Sequence, residues 1–363
     1  MAIDFDLGRW ERVKQTWRRW WAGELDRPLI ACAIQGRDPG RAEPKLPYHP
    51  FTAYYAPSVP AEAVVDRWDY ELSKLHFVGD AFPSIWPNFG PGVMAAFMGA
   101  RSTCGAGTVW FAPEAEREIA DIRFTYDPEN PCLRRVKDIC RAAMDRWAGL
   151  VQVGMTDLGG NLDVLSTFRP GERLPLDLID GPEHVKRLTW EAHDLWHRYY
   201  AEINSVLQPA NPGYSAWDGA YSQTPYYMLQ CDFCYMIGPK MFEEFVRPEL
   251  AATCRRLDNC LYHLDGPGQV PHLDSLLAIE ELGGIQWVPG WGTPNCFHWL
   301  DLYERILRAG KLAWLSNSHA DIGIIDAIVK RVGSPKGLMY TAWETVADAP
   351  AVRAVLKRYG RAD

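Results

Sequence analysis

Short apolar runs of strand length alternate with longer amphipathic runs of helical period over the last two thirds of this chain. The strand-like runs lie at 150–154, 227–230, 260–264, 284–288, 311–315 and 338–342. A helical pattern at 133–148 precedes the first, and others follow at 182–206, 240–257, 271–282, 297–309, 321–332 and 347–359. Continuous apolar strands between helices suit a parallel sheet covered on both faces. The βα rhythm repeats about every 25–30 residues, and right-handed units repeated this often close into a (β/α)8 barrel. The expected fold is therefore an α/β TIM barrel, one domain over residues 1–363. An open doubly wound sheet is the competing arrangement, but no G-x-G-x-x-G or Walker-type loop supports a nucleotide-binding version of it.

Residues 1–130 read as an N-terminal extension, a first strand and a lid. Trp10, Val13, Trp17 and Trp20 or Trp21 fall at helical spacing in a helix over 8–23. A strand at 29–34 follows, then a Pro/Gly-rich loop over 36–60 and a helix at 61–76. Residues 77–107 are too rich in Pro and Gly for regular structure and too aromatic for a solvated loop. They read as a lid or pocket wall offering Asp80, Trp86 and Asn88.

Polar residues gather just past the strand ends: Asp157, Asp218, Asp232, His263 with Asp265, Trp291, Asn317 with His319, and Glu344. In a barrel such positions converge on one mouth. His263 and Asp265 are two apart on one strand, so they share a face. With Glu344 or His319 as a third donor they would hold a divalent ion such as zinc. Metal-free acid–base chemistry is the alternative, with a carboxylate pair drawn from Asp157, Asp232 and Glu344. A structural His263–Asp265 pair is the plain alternative to both. No G-x-S-x-G elbow is present, and Cys231 and Cys296 are better read as packing.

Composition narrows the classes further. The chain has 363 residues, 47% hydrophobic and 23% charged, which suits a soluble globular protein. A net charge of −8 without basic blocks speaks against a nucleic-acid surface. No apolar run suggests a signal peptide or a membrane span. Nine cysteines, an odd count at irregular spacing, read as reduced thiols in a cytoplasm. Cys231 and Cys234 form a lone C-x-x-C with no second pair to complete a zinc site. Sixteen Trp is high for this length, and several stand beside strand ends, where aromatic rings line pockets; the others pack the core.

Three stretches carry a family resemblance: Asp177-Leu178-Ile179-Asp180-Gly181-Pro182-Glu183-His184-Val185, Ile237-Gly238-Pro239-Lys240-Met241-Phe242-Glu243-Glu244-Phe245-Val246-Arg247-Pro248, and Tyr262-His263-Leu264-Asp265-Gly266. Together they resemble the uroporphyrinogen decarboxylase-like superfamily over about residues 140–363. The resemblance implies a (β/α)8 barrel that either decarboxylates porphyrinogens or moves methyl groups with a corrinoid protein as partner. In such methyltransferases a His-x-Cys pair and a late Cys hold zinc. His263 matches the histidine, Asp265 stands at the first cysteine, and Glu344 falls near the second, so hard carboxylates replace soft thiolates. Arg37 and Arg41 stand where the decarboxylases carry an arginine-rich loop. A tetrapyrrole with eight carboxylates calls for more positive charge than this acidic chain offers.

The expectation is thus a metal-assisted methyltransferase or demethylase of a small methylated compound, with a homodimer implied by the resemblance. His263, Asp265 and Glu344 would bind the metal, and Asp157, Asp232 and His319 would orient substrate or move protons. Arg37, Asn88 and Asn317 would contact substrate, and Trp86, Trp217, Trp287 and Trp291 would shape an apolar pocket. The alternatives are a metal-independent decarboxylase of a porphyrinogen-like or other carboxylated substrate, and a non-catalytic small-ligand-binding barrel.

Overall fold

The computed structural model describes residues 3–105, 107–290, 292–316 and 321–360. Its strands in chain order are β1 (Leu29–Gln35), β2 (Leu75–Gly79), β3 (Ser84–Ile85), β4 (Arg101–Gly105), β5 (Thr108–Ala112), β6 (Gln152–Val153), β7 (Tyr226–Leu229), β8 (Asn259–Asp265), β9 (Gly284–Val288), β10 (Leu312–Ser316) and β11 (Leu338–Glu344). Seven of them form one sheet in the order β2-β1-β11-β10-β9-β8-β7. All neighbours in it run parallel except β2, which is antiparallel to β1. The first strand lies against the last, with Leu29 opposite Met339 and Ile34 opposite Glu344.

The second half of the chain follows the expected rhythm closely. Each of β7 to β11 is a short apolar run, and helical segments return the chain between them at Arg247–Cys254, Leu273–Leu277, Leu300–Arg308 and Ile324–Val332, with Ala349–Arg358 after β11. Gly284 opens β9 because a Cβ there would come within 2.3 Å of the Leu312 carbonyl on β10.

The closed eight-stranded barrel is not seen. Among the described residues β2 and β7 are edges, and the strand expected at 150–154 is two residues long and pairs with β3 instead. The physical reason lies in residues 80–93, where Pro83, Pro87 and Pro91 lack the N–H that a ladder needs. Single backbone hydrogen bonds take its place: Gln152 N–H to the Pro83 carbonyl (2.9 Å), Gly154 N–H to Ile85 (2.8 Å) and Met155 N–H to Ser215 (2.9 Å).

The N-terminal helix Leu7–Trp21 starts at Asp6, whose side chain accepts the Arg9 N–H, and it reaches both sheet edges. Phe5, just ahead of it, meets Phe77 on β2, and Trp21 meets Tyr226 on β7. Trp10, Trp17 and Trp20 are fully buried. The segment is thus part of the core rather than an appendage. Of the two readings of the aromatic segment, lid or pocket wall, the packing fits the second. Phe82, Phe89 and Val93 to Phe97 are buried, so residues 80–97 form a wall. What projects instead is the β4–β5 hairpin, with Trp110 exposed. No helix among the described residues is long and apolar enough to cross a membrane.

Candidate metal and acid–base site

The site begins at the end of β8. Cys260, Leu261, Tyr262 and Leu264 are buried, while His263 and Asp265 alternate onto the opposite face from Tyr262 and Leu264, as the two-residue period requires. Gly266 turns the chain sharply with φ +76°. A Cβ at Gly268 would sit 2.5 Å from the Tyr235 ring, so this glycine lets the turn after β7 pack against the turn after β8. That packing brings Asp232 to His263 and Asp265. Ligand atoms of these three side chains all lie within 4.8 Å of one another.

Two groups outside the sequence expectation hold the arrangement. Gln286, opposite His263 on β9 and buried, accepts a hydrogen bond from His263 Nδ1 at 2.5 Å. That contact fixes the tautomer and leaves the Nε2 lone pair for a proton or a cation. Asp163, in the first turn of helix Asn161–Phe168, accepts the backbone N–H groups of Asp232 (3.1 Å) and Phe233 (2.7 Å). It therefore anchors the turn that carries Asp232. Its sequence signal is an acid in a helix's first turn right after Gly159-Gly160, a pattern common enough to pass unnoticed.

The electrostatics are one-sided. Burial pushes Asp157 up to about 7, with the Asp232 charge adding to it. Burial and the same neighbour push Asp163 up to about 7. Asp232 rises to about 6 through desolvation and the adjacent Asp265. Solvent reaches Asp232 from the open side, while protein crowds its other sides, so exposure and desolvation coexist there. Burial lowers His263, which keeps the imidazole neutral near pH 7. The cluster is relieved either by holding protons or by binding a cation.

The remaining candidates divide clearly. Asp157 joins this acidic group, buried and accepting the Gly159 N–H at 2.9 Å. Glu344 does not. The cross-strand register runs from His263 to Gln286, Trp314 and Met339, which leaves Glu344 five residues further along and three strands away. Five residues of strand are about 16 Å. Its carboxyl sits by Tyr340 and Asp348, raised by burial and the Asp348 charge. Asp232, expected among the catalytic groups, is the third side chain that clusters with His263 and Asp265. Arg37 is tied to the Ser73 carbonyl (2.7 Å) and to Asp4 (3.8 Å), which draws it toward the end of helix Ala61–Ser73 instead of a substrate. Arg41 pairs with Asp66 and Asp69. Asp80 is fully buried in a fork-like pair with Arg27 (2.6 and 2.7 Å) and serves structure. Trp287 is a core residue packed on Trp299, not a pocket wall. Trp291, Asn317 and His319 lie outside the described residues.

Trp86, Asn88 and Trp217 do come together. They line a cavity of about 240 Å³ with Asp218, Trp343 and Tyr48 among its other walls. Trp217 is shared with the acidic group: its ring meets His263 edge to face at 5.1 Å. Compared with models of known protein families and with curated proteins, the chain matches none.

Proposed function

We propose that this chain is a barrel-like enzyme of the uroporphyrinogen decarboxylase-like kind that moves a methyl group from a small methylated compound with the help of a divalent ion. In this reading residues 80–93 and the β3–β6 pair stand where an eighth strand would close the barrel. The observation that carries the proposal is the convergence of Asp232, His263 and Asp265, one imidazole and two carboxylates, beside an aromatic cavity. The set is chemically suited to zinc and to harder ions such as manganese. The buried Gln286 supplies the outer hydrogen bond that metal-bound histidines ordinarily have. A bound ion would supply Lewis acidity toward a substrate heteroatom.

The chain's own groups then have distinct tasks. Asp163 and Gln286 hold Asp232 and His263 in place. Trp86 and Trp217 exclude water from the methyl-bearing part of the substrate. When the heteroatom–methyl bond breaks, its electron pair stays on the heteroatom and the methyl passes to a nucleophilic acceptor. Asp157, whose carboxyl burial pushes up to about 7, gives a proton to the heteroatom. A corrinoid on a partner protein is the acceptor we propose.

The test is elemental analysis of protein equilibrated with zinc or manganese and then desalted, followed by corrinoid absorbance with candidate methyl donors. One ion per chain in the parent, none in Asp232→Asn/Asp265→Asn, and donor-dependent methylcorrinoid formation support the proposal. No retained ion ends it. The raised carboxyls of Asp157 and Asp163 favour one second reading, metal-free decarboxylation by proton transfer. Carbon dioxide release by chelator-treated protein would select it.

A further inference from the structure

The cavity beside the acidic group has a composition that selects for charge. Its walls include Trp86, Trp217, Trp343 and Tyr48, and Asp218 is the carboxylate among them. No lysine or arginine is among the described residues that line it. One Asp218 oxygen accepts the Tyr226 hydroxyl (2.7 Å) and the Ala220 N–H (3.1 Å). Its other oxygen is buried without a hydrogen-bond partner, and so is the Trp217 indole N–H. Both atoms are closed off from solvent, so the cavity meets Asp218 as a nearby negative charge rather than through that oxygen.

Aromatic faces present negative charge density, and a nearby carboxylate adds to it. An anionic substrate is repelled by both. A neutral apolar one leaves Asp218 unmatched. A hydrated metal ion gains nothing from the indoles. A small organic cation with methyl groups on nitrogen matches the rings and the carboxylate together: methyls on the rings, positive charge opposite Asp218.

We propose that this cavity is an aromatic cage for a methylated ammonium group, which makes the substrate a small organic cation. This rests on the methyl-transfer reading above and narrows its substrate class. Trp217 is the specificity element, because it forms the cage wall and also touches His263. The rest of the substrate extends past it toward Asp232, His263 and Asp265, where an oxygen, and not the ammonium nitrogen, which has no lone pair to offer, would meet a bound ion.

The probes are choline and dimethylbutanol, its uncharged carbon isostere, titrated into chelator-treated full-length protein at pH 8 by calorimetry and tryptophan fluorescence. Choline is expected to bind about tenfold or more tightly. Asp218→Asn should abolish that preference while circular dichroism stays unchanged. Trp86→Leu, at a half-buried wall position, should weaken choline more than the alcohol and serves if Asp218→Asn misfolds. Equal binding of the two probes, binding of neither, or a preference that survives both substitutions overturns the proposal. Because the protein is stripped of metal, a failed cage and a failed metal site are told apart.

Discussion

The two sides of the mouth are built differently. The acidic side stands on β7 and β8, where register dictates which side chains meet. The aromatic side stands on residues 80–93 and 214–219, where no continuous ladder exists and proline interrupts the backbone. Regular strands bring charged groups within a few ångströms of each other at defined spacing, which suits a small ion or a proton. The irregular wall spreads broad rings over a larger surface, which suits a substrate body. Division of the mouth into a precise polar half and an adaptable apolar half is the arrangement that site-building on rigid strands and loops favours.

The comparison breaks most visibly at His263. If the acidic half is an ion site, His263→Ala should lower divalent-ion affinity by more than about 100-fold, because loss of an outer-shell partner alone costs 10–100-fold. Calorimetry with zinc and manganese measures it, and an unchanged affinity would return the half to pure acid–base work. Gln286→Leu comes next. Gln286 is not itself in the ligand set, yet its loss frees the His263 ring and leaves the tautomer unset, so an affinity loss of about 10–100-fold is expected. The cage half should be untouched by Gln286→Leu, with choline affinity within experimental error of the parent, whereas His263→Ala also removes the ring against which Trp217 packs.

The same division explains what the sequence discloses. β7 to β11 are apolar runs between amphipathic stretches, so their existence, their parallel order and the pairing of His263 with Asp265 follow from periodicity. Asp232 is legible as a strand-end acid, but its role as third partner is not. It depends on Gly268 admitting the Tyr235 ring, a contact between two loops 33 residues apart. Glu344 misleads because strand-end position says nothing about how far along the sheet axis a residue lies. The register carries it five residues past the position opposite His263 and three strands away. Residues 80–93 are legible as irregular and aromatic. Their burial is not, since apolar residues without a period fit a lid and a wall equally well. Asp163 and Gln286 are hidden for another reason: they act on neighbours through hydrogen bonds, and no local pattern records that.

Asp218 sharpens the aromatic half. Burial lifts its carboxyl from an ordinary value of 3.8 to about 7. A carboxyl whose folded pKa is raised favours the folded state while protonated, and that contribution fades as pH rises from about 4 through 7. At pH 8 the parent therefore carries a poorly solvated charge that Asp218→Asn removes. The variant should be more stable by about 1–2 kcal/mol at pH 8. The advantage should shrink as pH falls and vanish below about pH 3, where Asp218 is protonated folded and unfolded alike. Urea unfolding at several pH values measures this. A stability difference independent of pH would mean that Asp218 is already neutralised by a group of the chain itself, and the cage would lose its charge selectivity.

The smallest expected effect is at Glu344, and it discriminates between two ligand sets. As a ligand, Glu344 would cost more than about 100-fold in ion affinity when replaced by glutamine, like His263. Placed by Tyr340 and Asp348 at the far end of β11, it should change that affinity by about twofold or less, since its charge acts only through a screened long-range field. Neutralising it also relieves the repulsion with Asp348, so the variant should unfold at a slightly higher urea concentration at pH 8 than the parent. Asp232→Asn, measured beside it, should reproduce most of the His263→Ala loss. Should Glu344→Gln empty the site and Asp232→Asn spare it, the two halves of the mouth would not be separate, because β11 borders the aromatic cavity through Thr341, Ala342 and Trp343. An ion held from that strand would sit among the rings, and the acids after β7 and β8 would be left as a proton reservoir.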